Sequence, residues 1–222
     1  MDTRDPASGA LLIDPATGLL IPAIEEAYLG DPNPDFKLGV TNNLSYKGLF
    51  LSVLFDMTQG GDLYSSTIYS LLGRGVTKDN VDRETSWVIP GVYGDPNTGL
   101  PLLNGGKTIP NQTRINTNDI YFGNSFGINS TSEWNVYDAT VYRLREVTLG
   151  YEIPHKLFDK LPIGSVTITV TGRNLWFLAP NFPKYVNFDP EVNSFGSTTT
   201  QGIELSAAPT TKRFGVNLNV TF

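Results

Sequence analysis

The final stretch, residues 212–222, leaves this chain few choices. Phe214, Val216, Leu218, Val220 and Phe222 recur at every second position, with only Gly215, Asn217, Asn219 and Thr221 between them. A period of two marks a strand whose successive side chains point to opposite faces. One face is wholly apolar and the other small or neutral-polar. About ten residues of such alternation match a strand crossing a bilayer in a β-barrel, with lipid on one side and lumen on the other. The closing strand of a soluble β-sandwich shows the same alternation.

Four further segments read as strands. Phe36, Leu38 and Val40 alternate, and after Asn42-Asn43 the residues Leu44 and Tyr46 resume on the same parity, giving a strand over 36–46. Lys47-Gly48 makes a tight connection to a partner over 49–58, so the two form a hairpin. A third strand covers 140–151, where Tyr142 and Leu144 share one parity and Val147, Leu149 and Tyr151 the other. A β-bulge near Arg145-Glu146 absorbs that slip and keeps both groups on one face. The fourth covers 165–177, with Val166, Ile168 and Val170 opposite a polar row of Thr167, Thr169, Thr171 and Arg173. The fifth is 212–222.

The connections sort by length. Those at 47–48 and 152–164 are short, those at 60–138 and 178–211 long, and the two kinds alternate. Outer-membrane barrels have short periplasmic turns and long extracellular loops, whereas a compact soluble domain rarely carries so long an irregular stretch. Residues 1–35, with Asp14-Pro15, Asp31-Pro32 and Asn33-Pro34, read as a loop leading into the barrel, with a short helical turn over 23–29. Residues 63–72 are expected to make two or three further helical turns.

Composition excludes several classes. Sixteen Lys+Arg against 22 Asp+Glu give a net charge of −6, the wrong sign for a nucleic-acid partner. The absence of cysteine rules out disulfides and thiolate metal sites. No run approaches the roughly 18 apolar residues of a membrane helix. Met1 is followed by Asp-Thr-Arg-Asp-Pro rather than a basic and then apolar segment, so no secretory signal is read there.

Several motifs occur together: Tyr28-Leu-Gly-Asp-Pro-Asn-Pro-Asp-Phe36, Tyr46-Lys-Gly, Phe55-Asp-Met-Thr-Gln-Gly-Gly-Asp62, Tyr142-Arg-Leu-Arg-Glu-Val-Thr-Leu-Gly-Tyr151, Val170-Thr-Gly-Arg-Asn-Leu175, Phe188-Asp-Pro-Glu-Val-Asn193 and the terminal Phe222. In this order they resemble the C-terminal part of the SusC/RagA family, the TonB-dependent outer-membrane transporters of the Bacteroidetes. The resemblance spans residues 28–222. It implies an all-β chain, the last strands of an antiparallel, 22-stranded transmembrane barrel with long extracellular loops. It also implies import of oligosaccharides or peptides with a SusD-like surface lipoprotein as lid, and energy from a TonB complex acting through an N-terminal part not found here. The signal peptide, plug and most barrel strands of the family pattern are likewise missing, so the chain reads as a fragment or a truncated reading frame.

No catalytic constellation, cofactor site or metal site emerges, so an enzyme is not expected. His155, the single histidine, lies in a short turn beside Pro154 and Lys156 and reads as a surface residue. Gly106-Lys107-Thr108 lacks the glycine that a phosphate-binding loop needs where Pro101 stands. Asp31, Asn33 and Asp35 have alternating oxygen spacing but not the downstream glycine and glutamate of a calcium loop. The sequons at Asn43, Asn111 and Asn129 are short enough to arise by chance.

The candidate functional residues are of two kinds. Phe214, Val216, Leu218, Val220 and Phe222 form the expected outer-membrane assembly signal, set against lipid. Phe182, Tyr185, Phe188 and Phe195, four aromatics in one long loop, are expected to pack on neighbouring loops, a partner protein or a sugar face. Trp176 and Phe177 at one end of the strands, with Tyr46 and Tyr151 at the other, suit an interfacial girdle. Two alternatives from other classes stand beside the transporter: a self-contained secreted β-sandwich that binds carbohydrate, and a secreted β-rich hydrolase with paired inward carboxylates.

Overall fold

The computed structural model describes residues 1–122, 131–157, 159–186, 188–192, 194 and 201–222. Five long strands form one sheet: β1 (Phe36–Tyr46), β2 (Leu49–Gln59), β3 (Val141–Ile153), β4 (Ser165–Leu178) and β5 (Arg213–Thr221). Their order is β5-β4-β3-β2-β1 and every neighbouring pair is antiparallel. The sheet is open among the described residues, with β1 and β5 as its edges. β1 and β2 are joined by a two-residue turn in which Lys47 (φ 48°) and Gly48 (φ 83°) both take the left-handed conformation that matches the twist of a hairpin.

Register converts the five alternations into two continuous faces. On one, Tyr46, Leu49, Tyr151, Ile168 and Leu218 lie side by side across the strands. The next row is Leu44, Leu51, Leu149, Val170 and Val216. Further along, Val40, Phe55, Leu144 and Trp176 align, then Leu38, Met57, Tyr142 and Leu178. On the other face, Asn43, Ser52, Thr148, Thr171 and Gly215 form one row and Thr41, Leu54, Glu146, Arg173 and Arg213 another. The expected bulge is present: register shifts between Leu144 and Glu146 against both neighbours of β3. It turns Arg145 and Glu146 successively to the polar face, where Arg145 bonds to Asp56 and Glu146 to Arg173.

The long connections are not bare loops. Their described residues, with residues 1–35, lie at one end of the sheet and fold into a cap with two small cores. The first packs Leu63, Ile68 and Leu72 against Phe182, Val186 and Phe188. Ile68 and Leu72 sit four apart on the buried side of helix α1 (Ser66–Gly73), whose N-terminus is capped by Ser65 Oγ accepting from Ile68 N. The second gathers Ile13, Leu20, Ile89, Ile115 and Ile120. Residues 1–22 therefore do more than lead into the sheet. Leu12–Ile13 pairs in parallel with Val92–Asp95, and the Asp2 carboxylate accepts from Trp134 Nε1 and from Thr131 Oγ1.

The helical turn expected over 23–29 is absent. That stretch is non-helical, with Ile24 95% and Tyr28 79% exposed. Seven residues make a marginal helix, and with no face packed against the cap nothing compensates for nucleation. The turns expected over 63–72 exist but begin later, at Ser66, because Asp62–Ser65 is a short strand between Val136–Asp138 and Ile203–Glu204.

Candidate functional site

The apolar face of the sheet is uncovered. The side chains of its four rows, from five strands, stand on it without a second layer, Leu44, Tyr46, Leu149, Val170 and Trp176 among them being between about two-fifths and seven-tenths exposed. A β-sandwich would bury this face under another sheet. Soluble monomers rarely expose so large a contiguous apolar patch, whereas a barrel wall in lipid requires one. Between the row of Tyr142 and that of Tyr151, β2 runs from Met57 to Leu49, about the length of a tilted transmembrane strand.

Each residue singled out from the sequence has a place. Phe214, Val216 and Leu218 stand on the apolar face of edge strand β5 and are 75%, 77% and 63% exposed, with Val220 half-buried and Phe222 exposed beyond the strand. Tyr46, Tyr151 and Trp176 lie on the same face. Phe177 does not: it is opposite Arg143 on the polar face, since two adjacent strand residues cannot share a side. Phe182 and Phe188 are buried in the first core, their rings stacked at 6.1 Å, so they pack on helix α1 and are not available to a partner or a sugar. Of the three options weighed for this loop, packing on neighbouring loops is the one realised for these two. Tyr185 is exposed, with its backbone N donating to the Asp79 carboxylate at 3.1 Å and Lys184 Nζ 5.3 Å from its ring. Phe195 lies outside the described residues.

The remaining sequence candidates are used locally. Asp31 Oδ1 accepts from the backbone and side-chain nitrogens of Asn33 at 2.9 and 2.7 Å, a turn that explains the spacing without an ion. Lys107–Thr108 is one side of a small hairpin with Leu103–Asn104. His155 Nδ1 lies 2.7 Å from Asp159 Oδ1 on the surface.

What the sequence did not reveal is a charged cluster on the polar face, where the sheet meets the cap. Arg143, 6% exposed at its side chain, donates from Nε and Nη2 to Asp189 Oδ1 at 3.1 and 2.7 Å, and from Nη1 to Asp56 Oδ1 at 3.2 Å. Arg145 donates from Nε to Asp56 Oδ2 at 2.5 Å, and from Nη1 and Nη2 to Glu191 Oε2 and Oε1 at 2.5 and 2.8 Å. The hydrogen bonds from Arg145, with the charges of Arg143, Arg145 and Lys37, hold the Glu191 carboxyl below its ordinary pKa despite partial burial. The cluster borders a cleft of about 680 Å³ that includes Lys37, Gly39, Asp56, Arg145 and Glu191. Its only sequence signal is spacing: two arginines two apart in a strand, and two carboxylates two apart in a loop.

No family model matches the chain. Two curated proteins from Formosa agariphila do: TonB-dependent receptor P3, 27% identical over 207 residues, and TonB-dependent receptor P26, 27% identical over 233. The matches cover 91% and 99% of this chain but 18% and 20% of those receptors, so the chain spans about a fifth of their length. Among solved structures it is similar to the RagAB peptide importer, with TM-scores of 0.51 in the open-open state and 0.55 in the closed-closed state. Those two alignments cover 86% and 95% of this chain, 17% and 22% of the other, at 17% and 18% identity. The chain is like part of a TonB-dependent receptor in sequence and like part of the RagAB importer in fold. Its place is the outer membrane, and an uncovered apolar face is what a barrel wall there requires.

Proposed function

We propose that this chain forms the C-terminal wall of a 22-stranded barrel that imports oligosaccharides or peptides across the outer membrane, using energy relayed from TonB. Residues 36–46, 49–58, 140–151, 165–177 and 212–222 mark its barrel strands, and residues 1–35 lead into them from the loop side. The observation that carries the reading is the pair of opposite faces on one open sheet, apolar across five strands on one side and hydroxyl, amide and charged on the other. Both edges of the sheet expose unpaired backbone groups, which hydrocarbon does not tolerate, so further strands must close it. The cap lies outside the cell and meets a SusD-like lipoprotein, with Tyr185 and Phe195 as contacts. Phe214, Val216, Leu218, Val220 and Phe222 form the row recognised during insertion, an apolar row along the edge strand β5.

The test is purification of the full-length protein that carries this chain from outer membranes under mild detergent. A SusD-like lipoprotein is expected to co-elute, and depletion of TonB is expected to abolish uptake of the nutrient that induces it. Uptake that persists without TonB would overturn the transporter reading.

A further inference from the structure

The charged cluster contains one ion pair that is built in and one that is open to exchange. Arg143 and Asp189 are buried and moor the last long loop to the wall. Arg145 and Glu191 repeat that pairing two residues further along each segment, but their side chains are 25% and 48% exposed. Glu191 meets the fork of Arg145 with one oxygen on each terminal nitrogen, at 2.5 and 2.8 Å. That is the geometry in which an arginine receives any carboxylate.

The surroundings suit a ligand group in the same place. Lys37, whose charge acts on Glu191, lines the same cleft, and among the described residues it has no ion-pair partner within 4.0 Å. Gly39 lies in the lining as well, and a Cβ built on it would meet nothing within 4 Å, so the cleft is open above the strand. An exposed ion pair contributes little net, because each partner is nearly as well served by water or by another ion. Glu191 is thus held in position by the neighbouring buried pair and can be displaced at small cost.

We infer that Arg145 and Lys37 form a subsite for a carboxylate on the transported molecule, and that Glu191 fills it as a built-in competitor until that carboxylate arrives. This rests on the reading of the chain as a transporter wall. The carboxylate belongs either to a uronic acid of an oligosaccharide or to the C-terminus of a peptide. Exchange leaves Arg143 and Asp189 paired, so the loop stays moored while the subsite changes occupant.

The test uses the full-length protein in detergent and two matched probe pairs: an oligogalacturonate with its methyl ester, and a short peptide with its C-terminal amide. In one pair the acid binds more tightly than its neutral counterpart, and that pair identifies the source. Arg145→Gln lowers the acid-to-neutral affinity ratio at least tenfold, and Lys37→Gln lowers it severalfold. Glu191→Gln raises affinity for the acid severalfold, an effect that a purely structural pair would not produce. Equal affinity for acid and neutral members of both pairs, or weaker acid binding in Glu191→Gln, overturns the subsite. Outer-membrane abundance and TonB-dependent uptake are followed in parallel, so a failure of the transporter reading registers separately from a failure of the subsite.

Discussion

Asp189 accepts from Arg143 Nε on both carboxylate oxygens, at 3.1 and 3.2 Å, and from Nη2 at 2.7 Å, with the two side chains only 3% and 6% exposed. One residue comes from a strand of the wall and the other from the loop 46 positions later, so this contact decides how the loop sits against the polar face. Asp56 on the neighbouring strand completes the environment of the guanidinium. Removing one partner strands the other as a buried, uncompensated charge, which costs on the order of 3 to 5 kcal/mol. Asp189→Ala in the full-length protein is therefore expected to free the loop to added protease at the cell surface. Arg143→Met with Asp189→Leu, which removes both charges, is expected to recover much of that loss. Equal protease resistance in wild type and Asp189→Ala would show that the loop is held elsewhere.

A second anchor is Glu204. It is fully buried, and it accepts from Ser65 Oγ at 2.8 Å, Thr67 N at 3.0 Å, Thr67 Oγ1 at 2.7 Å and Ala207 N at 2.6 Å, beside the first turn of helix α1. Burial pushes its pKa up, but these hydrogen bonds, led by Thr67 and Ser65, outweigh burial and leave it below the ordinary 4.5. A carboxyl whose folded pKa is depressed contributes fully above its unfolded value, and that contribution fades as pH falls through the folded one. The cap is thus expected to hold at neutral pH and to loosen only below about pH 4, near the unfolded carboxyl range. Amide exchange protection in helix α1, corrected for intrinsic rates, should drop there in the wild type. In Glu204→Gln it should already be reduced at pH 7, and an unchanged value would remove Glu204 as the anchor.

Gly150 and Phe50 are directly opposed on the polar face, and a Cβ built on Gly150 would stand 2.0 Å from the Phe50 ring. The far end of the ring lies over the glycine, covering backbone that would otherwise be bare, as aromatic residues do for glycines in sheets. Gly150→Ala forces the ring to turn away and is expected to cost about 1 to 3 kcal/mol. The double variant Gly150→Ala with Phe50→Ala should be less damaged than the sum of the two singles. Heat-modifiable migration on gels reads this out, and simple additivity would mean that the ring does not rest on Gly150.

The wall was readable because its information is local. Alternation between nearest neighbours in sequence marks all five strands, and the slip of parity at Arg145 marks the bulge without any knowledge of the partners. The cap was not readable for the opposite reason. Leu12–Ile13 and Val92–Asp95 pair over two residues at eighty positions' separation, too short for any period to show. Which surface Phe182 and Phe188 would pack on was not readable because helix α1, which buries them, lies more than a hundred positions earlier. The charged cluster combines both difficulties. Its arginines are visible in β3, but that Asp189 and Glu191 should face them follows only from the way the loop folds back.

Sidedness of the cap is tested with one thiol. Asn97 is exposed in the turn between Val92–Asp95 and Leu100–Pro101, and the chain has no cysteine of its own. Asn97→Cys is expected to react with an impermeant maleimide on intact cells. Reaction only after the outer membrane is broken would place the cap in the periplasm and invert the topology.

The orientation of β5 gives the most direct test of the membrane face. Leu218 lies in the row of Tyr46, Leu49, Tyr151 and Ile168, whereas Asn217 is opposed to Thr169 on the other side of the sheet. A charge forced into hydrocarbon near mid-membrane costs about 2 to 4 kcal/mol, while the same charge in a wet lumen keeps its hydration. Leu218→Arg is therefore expected to lower outer-membrane abundance and the heat-modifiable fraction of the full-length protein. Asn217→Arg, one residue away and equally large, should leave both near wild type. Because the two variants share strand, helix-free context and added charge, only the face differs between them. Equal damage at the two positions would mean that both faces of β5 are packed, and the lipid assignment of the apolar rows would fail with it.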